Sequence, residues 1–360
     1  MREFDCKTKI LSGEQALDWL DRQKCQSLLV VTDPYFKENG WADQIANRVQ
    51  AENRAIFDRV KPDPTVELAA EGTALMRQVK PQMLIALGGG SAMDTAKAMV
   101  YFAGEGVTFV AIPTTSGSGS EVTNFSILTH GNVKYPLIDK RMQPDVAILA
   151  EELLEKLPPS LVADGGFDVL SHALESFVAT GADAMTQALA GNAFSTAFSH
   201  LLGSYRGDLR VRGRLHMAST MAGLAFSQSG LGLCHALSHS LGGIFHIPHG
   251  RLNAILLPEV ISCNAVCAGD SYAKLARLAG LGGSADTIGV RNLRNGLIRL
   301  RKDLHLPATM KEAGVPPQKL WHYSKEIVEV TLKDPCLQTN PVRCEAFQIR
   351  RILEAVSGHG

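Results

Sequence analysis

The chain has 360 residues, enough for two domains with cores of their own, and its 36 Lys and Arg balance 36 Asp and Glu. Zero net charge leaves no basic field for nucleic acid or an anionic membrane, and the sparse aromatic residues do not interleave with basic ones. Nucleic-acid and membrane partners are therefore not expected.

The first segment, MREFDCKTKILSG, alternates charged with apolar residues and lacks the hydrophobic core of a signal peptide. The most apolar windows, 28–31 and 83–87, have the length of strands and fall far short of a bilayer span. Residues 27–32 read as a strand, followed by Asp33-Pro34 and a helical segment through Trp41 and Ile45. Residues 79–87 lead through three glycines into a helix over 92–101, and 107–113 run into a loop rich in Ser, Thr and Gly. This β–α alternation predicts a parallel sheet with helices on its faces, where ligands gather at the carboxyl ends of strands.

Pro158-Pro159 follows the helical stretch 151–156 and marks a boundary. Beyond it the apolar period is helical over 161–178, 185–202, 215–227, 232–245 and 252–264, with no strand of comparable quality. The expectation is a Rossmann-like α/β domain over 1–157 and an all-α domain over 158–360, with a ligand in the cleft between them. The seven cysteines (6, 25, 234, 263, 267, 336 and 344) are odd in number and form no CxxC, which points to reduced thiols in a cytoplasmic setting. Cys263 and Cys267 are spaced to bind metal or to form a buried helical pair of thiols.

Two loops of the first domain suit phosphate. In Gly88-Gly89-Gly90-Ser91-Ala92-Met93-Asp94 the backbone can approach a pyrophosphate closely at a helix start, although Met93 departs from the GxGxxG fingerprint and no Walker lysine follows. The competing reading is a capped helix, with Ser91 as N-cap and Asp94 in a capping box. The run 113–123, PTTSGSGSEVT, offers hydroxyls and unhindered amides, or is an ordinary flexible loop. Asp33 can accept hydrogen bonds from a ribose, or can simply cap the helix whose first residue is Pro34. All three lie at strand ends of one sheet, which favours a nucleotide.

In the second domain, residues 234–250 hold His235, His239, His246 and His249, and Asp168 stands four residues before His172, on one face of a helix. Imidazoles and a carboxylate so grouped suggest a transition-metal site. Helical spacing alone pairs His235 with His239 as ligands.

Taken together, GGGSAMDTAK, PTTSGSGSEVT, Asp168-x-x-x-His172, HALSHSLGGIFHIPHG and Thr339-Asn-Pro341 resemble the iron-containing (group III) alcohol dehydrogenase family over essentially the whole chain. The runs KYPLIDKRMQPDVAIL and FSQSGLGLCHALSH look most like propanol dehydrogenases of the propanediol-utilisation type, with ethanolamine-utilisation alcohol dehydrogenases as near relatives. The resemblance implies the dehydroquinate synthase-like fold of that family. It also implies Asp168, His172, His235 and His249 as ligands of a divalent metal, Fe(II) or else Zn(II). His239 then lies on the substrate side as a proton relay, and His246 is left without a role. For the cofactor it implies Gly89, Gly90 and Ser91 at the pyrophosphate, with Asp94 on the nicotinamide side. Thr114, Thr115 and Ser118 would line the dinucleotide, and Lys134 would reach its ribose. Asp33 matches the acidic residue at the ribose 2′-hydroxyl, which favours NAD(H) over its 2′-phosphorylated form. Phe125 and Phe226 match pocket-lining positions, implying a small substrate with an apolar tail. Ala150 stands where relatives carry Asp, which removes a helix cap.

The implied reaction is interconversion of a short-chain primary alcohol (1-propanol or ethanol) and its aldehyde, with the metal as Lewis acid and hydride transfer to or from nicotinamide. Polyol oxidation or reduction on the same fold is the alternative, ahead of a non-catalytic microcompartment-associated protein. A lyase acting on a phosphorylated substrate would need a set of cations around the metal motif, and the sequence has none there. The resemblance further suggests a homo-oligomer, in the cytoplasm or inside a bacterial microcompartment beside its enzymes and shell proteins.

Overall fold

A computed structural model describes residues 4–104, 106–131 and 133–358. The chain divides into two compact units, 1–157 and 158–360.

The first unit contains, in chain order, β1 (Lys9–Ser12), α1 (Asp18–Asp21), β2 (Lys24–Thr32), α2 (Pro34–Glu38), α3 (Trp41–Arg48), β3 (Gln50–Phe57), α4 (Val66–Val79), β4 (Met83–Gly88), α5 (Gly90–Ala103), β5 (Thr108–Pro113), β6 (Phe125–His130), β7 (Val133–Ile138) and β8 (Val146–Leu149). Six strands form one sheet in the order β1-β8-β5-β4-β2-β3, with parallel pairing throughout. Its inner strands are continuously apolar because both faces are covered. Leu28 and Val30 face a layer containing Ala42 and Ile45 of α3, while Leu29 and Val31 face Ala96 and Met99 of α5. β3, at the sheet edge, is mostly polar and exposed, so it carries no apolar signal. β6 and β7 form a separate antiparallel hairpin.

After β2 the chain moves outward to β3, and after β4 it moves the other way to β5. The carboxyl ends of β2 and β4 therefore flank a topological switch point, where open α/β sheets bind ligands. Ala150 opens a short 3-10 turn over Glu151–Leu154 with no side-chain cap, as its replacement of Asp implies.

The second unit contains α6 (Pro159–Val178), α7 (Ala184–Tyr205), α8 (Arg212–Ser229), α9 (Leu233–Phe245), α10 (His249–Leu278), α11 (Asp286–Asp303), α12 (Pro317–His322), α13 (Ser324–Lys333) and α14 (Ala346–Val356), with a 3-10 turn at Pro335–Thr339. α10 is long and apolar enough to cross a membrane. Most of its apolar side chains are buried, together with Asn253 and Asn264, in a helix packed on α6, α9 and α11, while Val266 and Leu278 are exposed. Pro258 lies inside it and lacks the N–H that would pair with the Ala254 carbonyl; Arg301 of α11 donates to that carbonyl at 3.2 Å. All seven cysteines are free thiols, and Cys267 is exposed, so Cys263 and Cys267 are not the buried pair expected from their spacing.

Candidate metal centre and dinucleotide loops

In the first unit, Asp33 ends β2 and caps α2, its Oδ1 accepting from the Phe36 amide at 3.2 Å. Burial pushes its carboxyl above the usual carboxylate range. Its other oxygen faces the neighbouring strand end at Gly88. Gly88 has φ +151, and a Cβ there would meet Ala92 at 2.6 Å, so the turn from β4 into α5 requires glycine.

The capping box expected at Ser91 and Asp94 is not formed. α5 begins at Gly90, its N-cap is Gly89, and no side chain caps it. The helix starts two residues earlier than the apolar pattern shows because glycines carry no periodic signal. Its first amides, those of Gly90 and Ser91, thus open a 14-residue helix with no side-chain acceptor, the arrangement that suits an anion.

The second loop lies against the first. Thr114 N–H donates to the Gly88 carbonyl at 3.0 Å, and a Cβ on Gly89 would stand 3.1 Å from Thr115 Oγ1. Ser118 lies beside Gly90 in the same way. Beneath both loops the fully buried Lys97 spends its three protons on Ser120 Oγ, Thr123 Oγ1 and the Phe125 carbonyl, at 2.8, 2.8 and 2.9 Å. Burial pushes Asp94 up to about 6 and Lys97 down to about 8, each countered by the other's charge. Nothing in the sequence marks Lys97 for this role, since a lysine in a helix reads as solvated. Lys134, on β7, pairs with Asp63 at 2.6 Å. The Phe125 ring lies 5.6 Å from the Lys97 ammonium.

In the second unit, α6 supplies Asp168 and His172, α9 supplies His235 and His239, and His249 is the first residue of α10. Around Asp168 Oδ1 stand His249 Nε2 at 3.6 Å, His172 Nδ1 at 3.8 Å and His235 Nε2 at 4.0 Å. Donors bound to one ion at 2.0–2.2 Å stand roughly 3–3.6 Å apart; the donor atoms of Asp168, His172 and His235 all lie within 4.8 Å of one another, and His249 joins them through Asp168. His235 Nε2 is buried and makes no hydrogen bond among the described residues. A borderline divalent ion would satisfy that atom and would suit a set of three imidazoles and one carboxylate.

The ring is held from behind. Glu175, one turn beyond His172, is buried and accepts from the Gly232, Cys234 and His235 amides at 3.0, 2.6 and 3.3 Å. It also contacts His235 Nδ1 at 2.6 Å. Burial pushes Glu175 up to about 7 against the pull of those amides, and burial holds the His235 imidazole well below its ordinary range and so neutral. Asn253 ties three helices together, donating to Asp168 Oδ1 at 2.9 Å and Ser171 Oγ at 2.8 Å and accepting from Ser238 Oγ at 2.6 Å. Burial pushes Asp168 up to about 7, with the Asn253 hydrogen bond opposing. Glu175 and Asn253 were missed in the sequence. The signal was there, since Asp168, His172 and Glu175 stand at i, i+4 and i+7, and Asn253 at i+4 from His249.

Phe226 of α8 stacks on His172 with ring centroids 4.4 Å apart, and His235 stacks on the opposite side at the same distance. The second ligand candidate is thus clamped between two rings. His239 stacks on His249 at 5.3 Å, and its Nδ1 lies 2.8 Å from Asp334 Oδ2. His246 is exposed and closes α9 in the left-handed conformation, φ +55, which gives it a backbone role. Next to His249, a Cβ on Gly250 would overlap the Asp164 carbonyl oxygen, and Arg251 grips the Asp164 carboxylate with two hydrogen bonds.

A family model described as iron-containing alcohol dehydrogenase matches residues 7–151, and its C-terminal counterpart matches 162–357. The chain is 39% identical to 1-propanol dehydrogenase PduQ of Citrobacter freundii, covering 98% of this chain and 99% of that protein. It is 36% identical to the NADPH-dependent butanol dehydrogenase of Clostridium saccharobutylicum, covering 99% and 98%. Among solved structures, an iron-containing alcohol dehydrogenase from Thermococcus thioreducens superposes with TM-score 0.90 at 30% identity, covering 99% of this chain and all of that one. A 1,3-propanediol oxidoreductase superposes with TM-score 0.92 at 27% identity over the same shares. Fold, motifs and near-complete coverage agree: the chain belongs to the iron-containing alcohol dehydrogenase family.

Proposed function

We propose that this alcohol dehydrogenase is NAD(H)- and metal-dependent and interconverts a short-chain primary alcohol with its aldehyde, of the 1-propanol or ethanol type. The observation that carries the reading is the convergence of His172, His235 and His249 on one oxygen of Asp168. We assign these four as ligands of Fe(II), with Zn(II) as the alternative. The substrate class is supported by the likeness to the propanol and butanol dehydrogenases. NAD(H) is supported by Asp33, whose carboxylate would repel a 2′-phosphate; the butanol relative is named as NADPH-dependent, so this residue carries that choice.

When bound, the cation supplies Lewis acidity at the substrate oxygen and the nicotinamide supplies hydride exchange. The chain's own residues provide the rest. Glu175 takes the hydrogen bond of His235 Nδ1 and so turns the lone pair of Nε2 toward the donor ring. Phe226 shields one face of His172 and offers an apolar wall to an alkyl tail. His239 accepts the alcohol proton in oxidation and returns it in reduction. The open helix start at Gly89, Gly90 and Ser91 receives the pyrophosphate, flanked by Thr114, Thr115 and Ser118, with Asp94 below. Lys134 reaches a ribose by exchanging its Asp63 partner, and Phe125 borders the pocket.

A polyol reading draws on the likeness to 1,3-propanediol oxidoreductase. Assembly as a homo-oligomer and residence in a bacterial microcompartment extend the proposal, on the likeness to the propanol dehydrogenases of the propanediol-utilisation type.

The test is a panel of short aldehydes and diols with NADH and NADPH, on protein loaded separately with Fe(II) and Zn(II), beside the variant His249→Ala. Propionaldehyde or acetaldehyde with NADH should lead, and the variant should lose metal and activity together. A variant that stays active and metal-loaded would sink the ligand assignment, and a clear preference for diols would move the reading to polyols.

A further inference from the structure

We propose that Asp334 is the positioning residue of the proton relay, holding His239 in the tautomer that carries its proton on Nδ1 and leaves Nε2 to exchange protons with substrate. This rests on the reading of His239 as the relay.

Asp334 stands between two elements, ending α13 and capping the 3-10 turn at Pro335–Thr339. Its two oxygens have separate tasks. Oδ1 accepts from the Cys336 amide at 2.9 Å, which satisfies the turn. Oδ2 is not needed for capping and lies 2.8 Å from His239 Nδ1. A carboxylate has no proton to give, so the ring must donate, and the lone pair moves to Nε2.

Both sides of Asp334 are anchored. Ser240, next to His239, meets Thr331 Oγ1 at 3.0 Å and fastens α13 to α9. Beyond the turn, Thr339 Oγ1 donates to the Leu231 carbonyl at 2.7 Å, just before α9 begins. The His239 ring is further oriented by stacking on His249 at 21°. A side chain tied this firmly into a fixed frame orients the ring at little further entropic cost, which is what a relay between substrate and solvent needs.

Asp334→Asn separates this role from a structural one. Asparagine keeps the oxygen that caps the turn, but its amide presents N–H to His239 Nδ1. The ring proton is then forced onto Nε2, the nitrogen that must be bare to accept a proton. The variant is compared with His239→Gln, both as metal-loaded enzyme with its cofactor. Nitrogen-15 spectra of histidine-labelled, Zn(II)-loaded protein report the tautomer. We expect Asp334→Asn to lower kcat about 100-fold while metal content and the KM for nucleotide stay within about threefold. His239 should read as Nδ1-protonated in the parent and Nε2-protonated in the variant. If His239→Gln lowers kcat and Asp334→Asn does not, the positioning role is wrong and the relay stands. If His239→Gln leaves kcat unchanged, both fall. A parent His239 protonated on Nε2 overturns the tautomer assignment directly.

Discussion

His235 Nδ1 lies 2.6 Å from Glu175 Oε2, and the same carboxylate gathers three backbone amides at the start of α9. One side chain therefore orients a proposed ligand and caps the helix that carries it. In Glu175→Gln only one oxygen remains to accept, and an N–H₂ group faces donors. Metal affinity is expected to fall about 10- to 100-fold, with a stability loss of about 1–3 kcal/mol. Metal titration against a chelator and urea denaturation measure the two, and unchanged affinity would remove Glu175 from the metal's support.

Asp33→Ala should raise the ratio of catalytic efficiency with NADPH to that with NADH, because the charge opposed to a 2′-phosphate is gone. It should also cost about 1 kcal/mol through the lost cap on α2. Steady-state kinetics with both cofactors decide the matter; a constant ratio means that specificity is set elsewhere.

The pH dependence of metal stabilisation follows from Asp168. Its pKa in the folded, metal-free protein is raised to about 7 by burial. The stability a raised acid contributes is fully present below its unfolded pKa near 4 and is lost as pH rises through about 7. Above that range the metal-free protein carries a buried carboxylate whose charge the Asn253 hydrogen bond offsets only in part, and which a divalent cation would neutralise. Added Zn(II) should therefore raise Tm more at pH 8 than at pH 5.5, by about 2–4 °C for each kcal/mol recovered. Thermal melts with and without metal at both pH values test this, and an equal gain at both would contradict it.

Lys97→Met should strand the acceptors on Ser120, Thr123 and Phe125 and leave Asp94 without its nearest cation. Breaking such a buried network costs about 3–5 kcal/mol. Because those acceptors belong to the second loop proposed to line the dinucleotide and to the strand after it, nucleotide affinity should fall as well. Calorimetric titration of NADH at a temperature where the variant is folded reads this; intact affinity would confine Lys97 to stability.

The inner strands and the helical second half are visible in the sequence because each has a spacing that its geometry imposes, whereas spacing alone pairs His235 with His239 and only the family resemblance selects His249. β2, β4 and β5 show as apolar runs since both their faces are covered. β1, β3, the β6–β7 hairpin and β8 are edge, polar or short elements, and their residues look like loop. The partners of the ligand candidates were hidden for a different reason. Glu175, Asn253 and Asp334 are ordinary polar residues whose importance comes from what they face, and Asp334 lies 95 positions from His239. The glycines before α5 concealed its start in the same way, since the residue best suited to the turn gives no sign of where the helix begins.

Gly250 sets a spacing of the candidate metal centre. α10 comes into backbone contact with α6 beside Asp164, one helical turn ahead of Asp168, because position 250 has no side chain. Under the proposed ligand set, the gap between His249 and Asp168 is then fixed by main-chain contact, with Arg251 clamped on Asp164 to prevent sliding. Under that same ligand set, a single methyl added at position 250 would push the two helices apart and lengthen the gap between His249 and Asp168 without altering any ligand candidate.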